Sequence, residues 1–318
     1  MCYSAQILDS YEKYVRNWGA DISLRDFHQI YFLRRSTPSI RIPKAIDAWF
    51  AQPRNDDERQ IKTMIDEHDA AQASKLEQEV FKQKTRFVVA ERTLLVKTTK
   101  KALEDQRIAK ARIEQSMSRL ADLRRTGFKD RDARIFPMVY APVMVMRNGR
   151  RTVVPMRYQC RPKGKPASYD RDFAGTYNAR RDNLEGFWKP QFGSDHAIML
   201  VVAFYENVSL NAMEHRALAD GETAKNVILE FRPRPAQEMV VACLWSRWGS
   251  GDDELLSFAA ITDEPPPEVA AAGHDRCIIQ IRPGNADAWL QPQSGDLAAQ
   301  YELLDDRALP FYEHREAA

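Results

Sequence analysis

Cysteine at position 2 of this 318-residue chain has a chemical option that no internal cysteine has. Methionine is normally trimmed when the next side chain is small, and loss of Met1 would leave Cys2 with an α-amine and a thiol on adjacent carbons. The amine titrates near ~8 and the thiol near ~8.5, so both reactive forms are present at neutral pH. Such a 1,2-aminothiol condenses with an aldehyde to a Schiff base, which the thiol then closes to a thiazolidine. It can instead serve as an N-terminal nucleophile that uses its own amine as base. Taken alone, Cys2 reads more simply as an idle residue at a frayed terminus.

Three short patterns further along supply groups that could serve such a nucleophile. Tyr177-Asn178-Ala179-Arg180 offers an amide and a guanidinium. Phe204-Tyr205-Glu206 puts a carboxylate at the end of an almost wholly apolar run. Gly273-His274-Asp275-Arg276 sets an imidazole just before another apolar run. Each has a plain alternative: an acid at a strand end is usually solvated, and a His before a strand is usually a surface or hydrogen-bonded residue.

The elements that must position these groups fall into two textures. Beyond Gly127, β-rich apolar runs recur at Met138 to Met146, Thr152 to Tyr158, Ala197 to Tyr205, Asn226 to Phe231, Met239 to Trp245, Leu255 to Ile261 and Cys277 to Ile281. Gly, Pro, Asn and Asp separate them, and Arg147-Asn148-Gly149-Arg150 is a strong hairpin turn. Seven strands with few intervening helices predict an α+β fold with a mixed, largely antiparallel, barrel-like β core and flanking helices. Near the N-terminus, Asp9 to Trp18 predicts a helix capped by Asp9 with Glu12 three residues on. A second helix is predicted from an N-cap at Ser23 to about Arg35, and a short segment at Ala45 to Phe50.

Between these parts, Arg54 to Thr126 runs 73 residues without Gly or Pro, in strongly helix-forming composition. Arg54 to Phe81 holds four basic and eight acidic residues, and Lys82 to Arg125 holds thirteen basic and five acidic. Sparse apolar positions at three- and four-residue steps predict a coiled-coil-like seam, and the charge division favours an antiparallel hairpin over one long rod. Lys82 to Thr85 and Lys97 to Lys101 are the candidate turns. The predicted organisation is a discontinuous domain, 1–45 and 132–318, interrupted by a helical insertion, 54–126. The basic arm is more simply a solvated face than a nucleic-acid contact, and the insertion offers a surface for a protein partner.

Composition excludes several classes. The net charge of +2 implies no polyanionic partner by itself, so any nucleic-acid surface must be local. The four cysteines show no CxxC spacing, so no metal site, cofactor or disulfide framework is suggested. Glu12, Lys13 and Arg16 stand where a signal peptide would be apolar, and no run approaches the ~20 residues of a membrane span. A reduced, cytoplasmic protein without a membrane partner is the expectation.

In the order Met1-Cys2, Asn178-Ala179-Arg180, Phe204-Tyr205-Glu206 and His274-Asp275-Arg276, the chain resembles the SOS-response-associated peptidase (SRAP) family, which shields abasic sites in single-stranded DNA. Lys189-Pro190 with Phe192, Ala286-Asp287-Ala288-Trp289-Leu290 and Tyr140-Ala141-Pro142 also fit the family. The resemblance covers residues 1 to about 35 and about 135 to 290. Where the family usually begins Cys-Gly-Arg, this chain has Cys2-Tyr3-Ser4; Arg157-Tyr158-Gln159-Cys160 stands roughly where a tryptophan-containing segment is usual, and Asn207 follows Glu206 where Trp is common.

The resemblance implies a thiazolidine crosslink between Cys2 and the open-chain aldehyde of an abasic site in single-stranded DNA, after autocatalytic loss of Met1. Asn178 would hold the α-amine, and Glu206 and His274 would move protons. Arg180 and Arg276 would contact phosphates, and Tyr158 would stack on a base. Two other readings stay open: an N-terminal-nucleophile cysteine amidohydrolase, and a non-enzymatic interaction scaffold with Cys2 inert.

Overall fold

The computed structural model describes residues 4–293 and 295–317. Met1 and Cys2 therefore lie outside the described residues. The chain forms two compact units, one of residues 1–52 and 130–318 and one of residues 53–129.

Twelve strands lie among the described residues of the first unit: β1 (Ser4–Ile7), β2 (Asp21–Ile22), β3 (Arg134–Ile135), β4 (Tyr140–Arg147), β5 (Arg150–Tyr158), β6 (Asn178–Arg180), β7 (His196–Ser209), β8 (Asn226–Arg234), β9 (Met239–Trp248), β10 (Leu255–Asp263), β11 (Cys277–Ile278) and β12 (Phe311–Glu316). Five of them close a barrel in the order β4, β5, β10, β9, β7, with β7 returning to β4. All contacts around this ring are antiparallel except β5 with β10, which run parallel where Arg157 and Tyr158 face Ser257 and Phe258. The fold is thus the mixed barrel-like α+β core expected, with further strands outside it.

The β4–β5 hairpin turns at Asn148 and Gly149, whose φ values of 51° and 74° match the left-handed conformations such a turn needs. β7 is 14 residues long and buried along nearly all of it. The helix Ala286–Leu290 contacts both β7 and β4, and burial of successive β7 residues, which point to opposite faces, matches its unbroken apolar sequence. The strand expected to stop at Tyr205 instead runs on to Ser209, and Glu206 is interior to it, opposite Leu229 of β8.

The first helix is shorter than its periodicity suggests, Tyr11–Arg16, and is capped by Ser10, whose hydroxyl accepts from the Lys13 amide, rather than by Asp9. The second runs Leu24–Arg34 and buries Phe27, Ile30, Tyr31 and Arg34 at helical spacing. β1, although only four residues long, is held on both edges: Ala5 and Gln6 face Ile135 and Arg134 of β3, and Ser4 to Ile7 pair with β7.

The second unit is an antiparallel helical hairpin, Asp56–Val96 and Lys100–Arg124. Its turn falls at the second of the two candidate places, where Lys97 is extended and Thr99 caps the next helix by accepting from the Ala102 amide. Ala90 on one arm, and Ala102, Ala109 and Ser116 at seven-residue steps on the other, form a narrow buried seam. Glu77 and Glu79 pair with Arg124 and Arg112 across the arms, as the charge division suggests, but Arg86 pairs in the reverse sense with Asp105. The turn is later than the acidic-to-basic change, so the first arm carries both signs.

Candidate functional site

The centre of the site is a buried acid–imidazole pair. Tyr205 and Glu206 point to opposite faces of β7, as successive strand residues must. The Glu206 carboxyl is fully buried, and its Oε2 lies 3.2 Å from His274 Nε2. On the other ring nitrogen, His274 Nδ1 lies 2.8 Å from the Arg276 carbonyl and 3.3 Å from the Arg276 amide nitrogen. Burial pushes the His274 pKa down, which favours a neutral imidazole beside the carboxyl. Two tautomers fit this frame: with Nδ1–H donating to the Arg276 carbonyl, Nε2 turns a lone pair toward Glu206, and with the proton on Nε2, Nδ1 accepts from the Arg276 amide.

The loop that carries His274 is tied to the strand that carries Glu206 through a glycine. Gly273 has φ +89°, and a Cβ there would stand 2.8 Å from the Met213 amide nitrogen and 3.0 Å from Val208 Cγ1. Val208 lies on β7, two residues beyond Glu206. Only the missing side chain lets the two segments approach this closely.

Asn178 and Arg180 lie on the same face of β6, which runs parallel to β10 with Asn178 opposite Ala260 and Arg180 opposite Thr262. Asn178 is buried, and neither end of its amide has a hydrogen-bond partner among the described residues. Burying a polar group without a partner costs about 1–3 kcal/mol, so two such atoms on one side chain call for a ligand or a functional role. Arg180, at the exposed end, forms a two-pronged pair with Asp182, with Nε 3.0 Å from Oδ1. The charge of Asp275 raises the Arg180 pKa and that of Arg276 lowers the Asp182 pKa, in each case after the larger effect of the Arg180–Asp182 hydrogen bond itself. The β6 end and the His274–Arg276 loop are therefore electrostatic neighbours. Glu206 and His274 meet directly; Arg180 and Arg276 flank the same acidic pair, Asp182 and Asp275.

Tyr158 is not part of this surface. The ring is fully buried between Tyr177, at 5.6 Å, and Phe258, at 5.2 Å, because the parallel β5–β10 seam closes over it. No face is left for a base, and the stacking role expected of it is withdrawn.

A cluster that the motifs do not reveal anchors the start of the described chain. Ser4 is buried opposite Tyr205, and its hydroxyl accepts from Arg134 Nε at 3.0 Å. The Arg134 guanidinium lies 3.7 Å over the Tyr205 ring. Arg232 donates to the Gln6 side chain at 2.7 Å, and the Tyr205 hydroxyl lies 3.4 Å from the same oxygen. Nothing in the local sequence marks Arg134; the signal is only its cross-strand register with Gln6.

Burial pushes the Cys160 thiol up to about 12 and raises those of Cys243 and Cys277 further, so these three are poor nucleophiles. Among the described residues no group of three or more His, Cys, Asp or Glu is placed to hold a metal ion. No helix among them is long and apolar enough to cross a membrane.

Solved structures share part of the architecture. A protein from Bordetella bronchiseptica is 18% identical with a TM-score of 0.46, covering 58% of this chain and 87% of its own. A phage-related protein from the same organism is 19% identical with a TM-score of 0.44, covering 58% and 81%. A protein from Bacteroides thetaiotaomicron is 14% identical with a TM-score of 0.44, covering 56% and 74%. Likeness at that level carries no functional argument, and no curated protein matches the chain. The family described as SOS response associated peptidase (SRAP) matches residues 97–314, more than half of the sequence, and the chain belongs to that family.

Proposed function

We propose that this chain forms a covalent thiazolidine with the aldehyde of an abasic site in single-stranded DNA, using Cys2 once Met1 has been removed. The observation that carries the reading is the place where β1 pairs with the barrel strand β7. Ser4 pairs with Tyr205, the residue before Glu206, and Glu206 meets His274 at 3.2 Å. Two residues of extended chain reach at most about 7 Å, a span that would let Cys2 act on that pair from Ser4.

The chemistry balances without a redox partner. The α-amine of Cys2 adds to the aldehyde carbon, and the carbinolamine loses water to give an imine. The thiol then adds across the carbon–nitrogen double bond, its proton passing to nitrogen, so aldehyde and aminothiol become thiazolidine and water. Asn178, with its buried unpaired amide, accepts from the α-amine and holds its lone pair toward the aldehyde. The Glu206–His274 pair protonates the departing hydroxyl, recovers the proton that nitrogen loses on forming the imine, and relays the thiol proton to nitrogen at ring closure. Arg180 and Arg276 hold the flanking phosphates. Release of Met1 by hydrolysis of the Met1–Cys2 amide fits the family's description as a peptidase.

The test is to mix the purified protein with single-stranded DNA carrying one abasic site and run a denaturing gel, with mass spectrometry of the N-terminus. A shifted, heat-stable band from protein that begins at Cys2 supports the reading. Protein that begins at Cys2, binds single-stranded DNA and gives no stable band sinks it.

A further inference from the structure

We infer that the exposed ring of Phe173, backed by Tyr169, is a stacking platform for an unpaired base of a single strand on its way to the site. The inference rests on the nucleic-acid reading above and names the surface that would guide the strand. Tyr169–Asp172 form one helical turn, and Phe173 follows with its amide donating to the Tyr169 carbonyl at 2.9 Å. The two rings stack at 4.1 Å and 21°. Phe187 lies nearly parallel to Tyr169 as well, at 18° and 6.3 Å. Phe173 nevertheless remains 52% exposed, so part of a large apolar ring in an ordered stack faces water.

The platform is held from beneath by buried charge. Asp170, in the middle of the turn, pairs with Arg157 at 2.8 Å and with Arg161 Nε at 3.1 Å, and both arginines are buried. Gln159 adds a bond from its side-chain amide to the Asp170 carbonyl at 2.8 Å. The turn's one inward acid is thereby neutralised twice over. Outward, Lys165 Nζ lies 5.4 Å from the centre of the Tyr169 ring, and Lys189, just past Phe187, is exposed. Lys163 and Arg171 are exposed too, each paired with an acid. A ring face beside cations suits a base with its phosphate. A duplex hides its base faces, so the occupant is a single strand.

The platform also leads into the site. The Thr176 amide lies 3.4 Å from the Phe173 carbonyl, and the chain then enters β6 at Asn178 and Arg180. A base on Phe173 would thus lie on the same segment that presents the unpaired amide and the guanidinium.

The measurement is fluorescence anisotropy of an undamaged, labelled single-stranded oligonucleotide with the full chain as wild type, Phe173→Ala, Phe173→Leu and Phe173→Trp, at several salt concentrations. Base stacking on an aromatic is worth about 1–3 kcal/mol, so Phe173→Ala should weaken binding about 5- to 150-fold. Phe173→Leu, which keeps apolar bulk but no aromatic face, should weaken it similarly, and Phe173→Trp should preserve it. The slope of log K against log salt should not change, because no phosphate contact is lost. Equal affinity for wild type and Phe173→Ala overturns the inference, as does equal weakening by Trp and Ala; the first result leaves the ring stack to a protein partner. Because the probe has no aldehyde, its binding is read apart from crosslinking: binding through Phe173 by a protein that gives no stable band with abasic DNA sustains this inference and sinks the thiazolidine reading. Crosslinking with binding indifferent to Phe173 does the reverse.

Discussion

His274 Nε2 and Glu206 Oε2 face each other at 3.2 Å in a pocket that excludes water from the carboxyl, with the other imidazole nitrogen against the Arg276 backbone. An imidazole and a carboxyl at this distance can give or take one proton between them and a reacting group, which is the work of an acid–base pair. Glu206→Gln and His274→Ala should each slow crosslinking at saturating DNA on the order of 10²-fold or more, a typical acid–base contribution. Affinity for undamaged single-stranded DNA should be unchanged. Single-turnover time courses beside equilibrium titrations check this, and lost affinity with a wild-type rate would reassign the pair.

Cys2→Ala should abolish the heat-stable crosslink, because neither the thiol nor ring closure remains. The substituted alanine keeps an α-amine, so a slow adduct that borohydride traps is still expected. The same gel with and without borohydride reads both outcomes, and a stable product at wild-type yield would remove the thiazolidine from the mechanism.

Arg180→Ala should weaken binding of single-stranded DNA and flatten its salt dependence by about one phosphate. Its partner gives a second handle. Asp182 occupies the Arg180 fork at the surface, where an ion pair contributes little to stability. Asp182→Asn should therefore leave folding intact and tighten DNA binding by freeing the guanidinium. Anisotropy titrations of both variants check the opposite signs.

His196 predicts an acid-sensitive core. Burial pushes its pKa down to about 4. The ring is held neutral, with Nε2 accepting from the Gly193 amide at 2.9 Å and Nδ1 lying 2.9 Å from the Trp289 carbonyl, stacked on the Trp289 ring. Its folded pKa is below the unfolded value of about 6.5, so the unfolded chain takes the proton first as the pH falls. Stability should drop between about pH 6.5 and 4, with about 2 kcal/mol lost by pH 5 from this group. Urea unfolding at pH 7 and 5 measures the loss, and His196→Asn should remove that part of the slope even where it lowers stability overall.

Replacing residues 54–126 with a short Gly/Ser linker should leave a folded protein that still crosslinks. The insertion carries none of the proposed site residues, and in the first unit the helix Lys44–Asp47 contacts the turn Asp130–Ala133, so the cut ends are near each other. Circular dichroism and the crosslinking gel check it; a folded deletion inert at every concentration would show that the chemistry needs the hairpin.

Much of the barrel is legible because its strands are long apolar runs between turn residues, and Asn148-Gly149 fixes one hairpin outright. β1 and β6 are not, since Ser4–Ile7 and Asn178–Arg180 are too short to show a period and exist only because longer strands template them. That is why the pairing of Ser4 with Tyr205, next to Glu206, cannot be read locally. Glu206 itself reads as a strand end because a charge after nine apolar residues looks like solvent, whereas β8 continues the pairing past it to Ser209. Tyr158 misleads for a related reason: an aromatic closing an amphipathic strand looks exposed until the parallel β10 packs Phe258 against it. The Phe187, Tyr169 and Phe173 rings come together only through the fold of the intervening loops, and the sequence holds no signal for them.

The double pairing of β1 also bears on when the molecule matures. Gln6 and Tyr205, whose side chains meet in the finished fold, are 199 residues apart in sequence. At about 5–20 residues per second of synthesis, the first strand waits on the order of 10–40 s for the β7 strand to leave the ribosome. The helical hairpin needs only its own residues and can form during that wait. On the proposed reading, an aminothiol at Cys2 would therefore reach Glu206 and His274 only late in translation, after most of the barrel strands have been made.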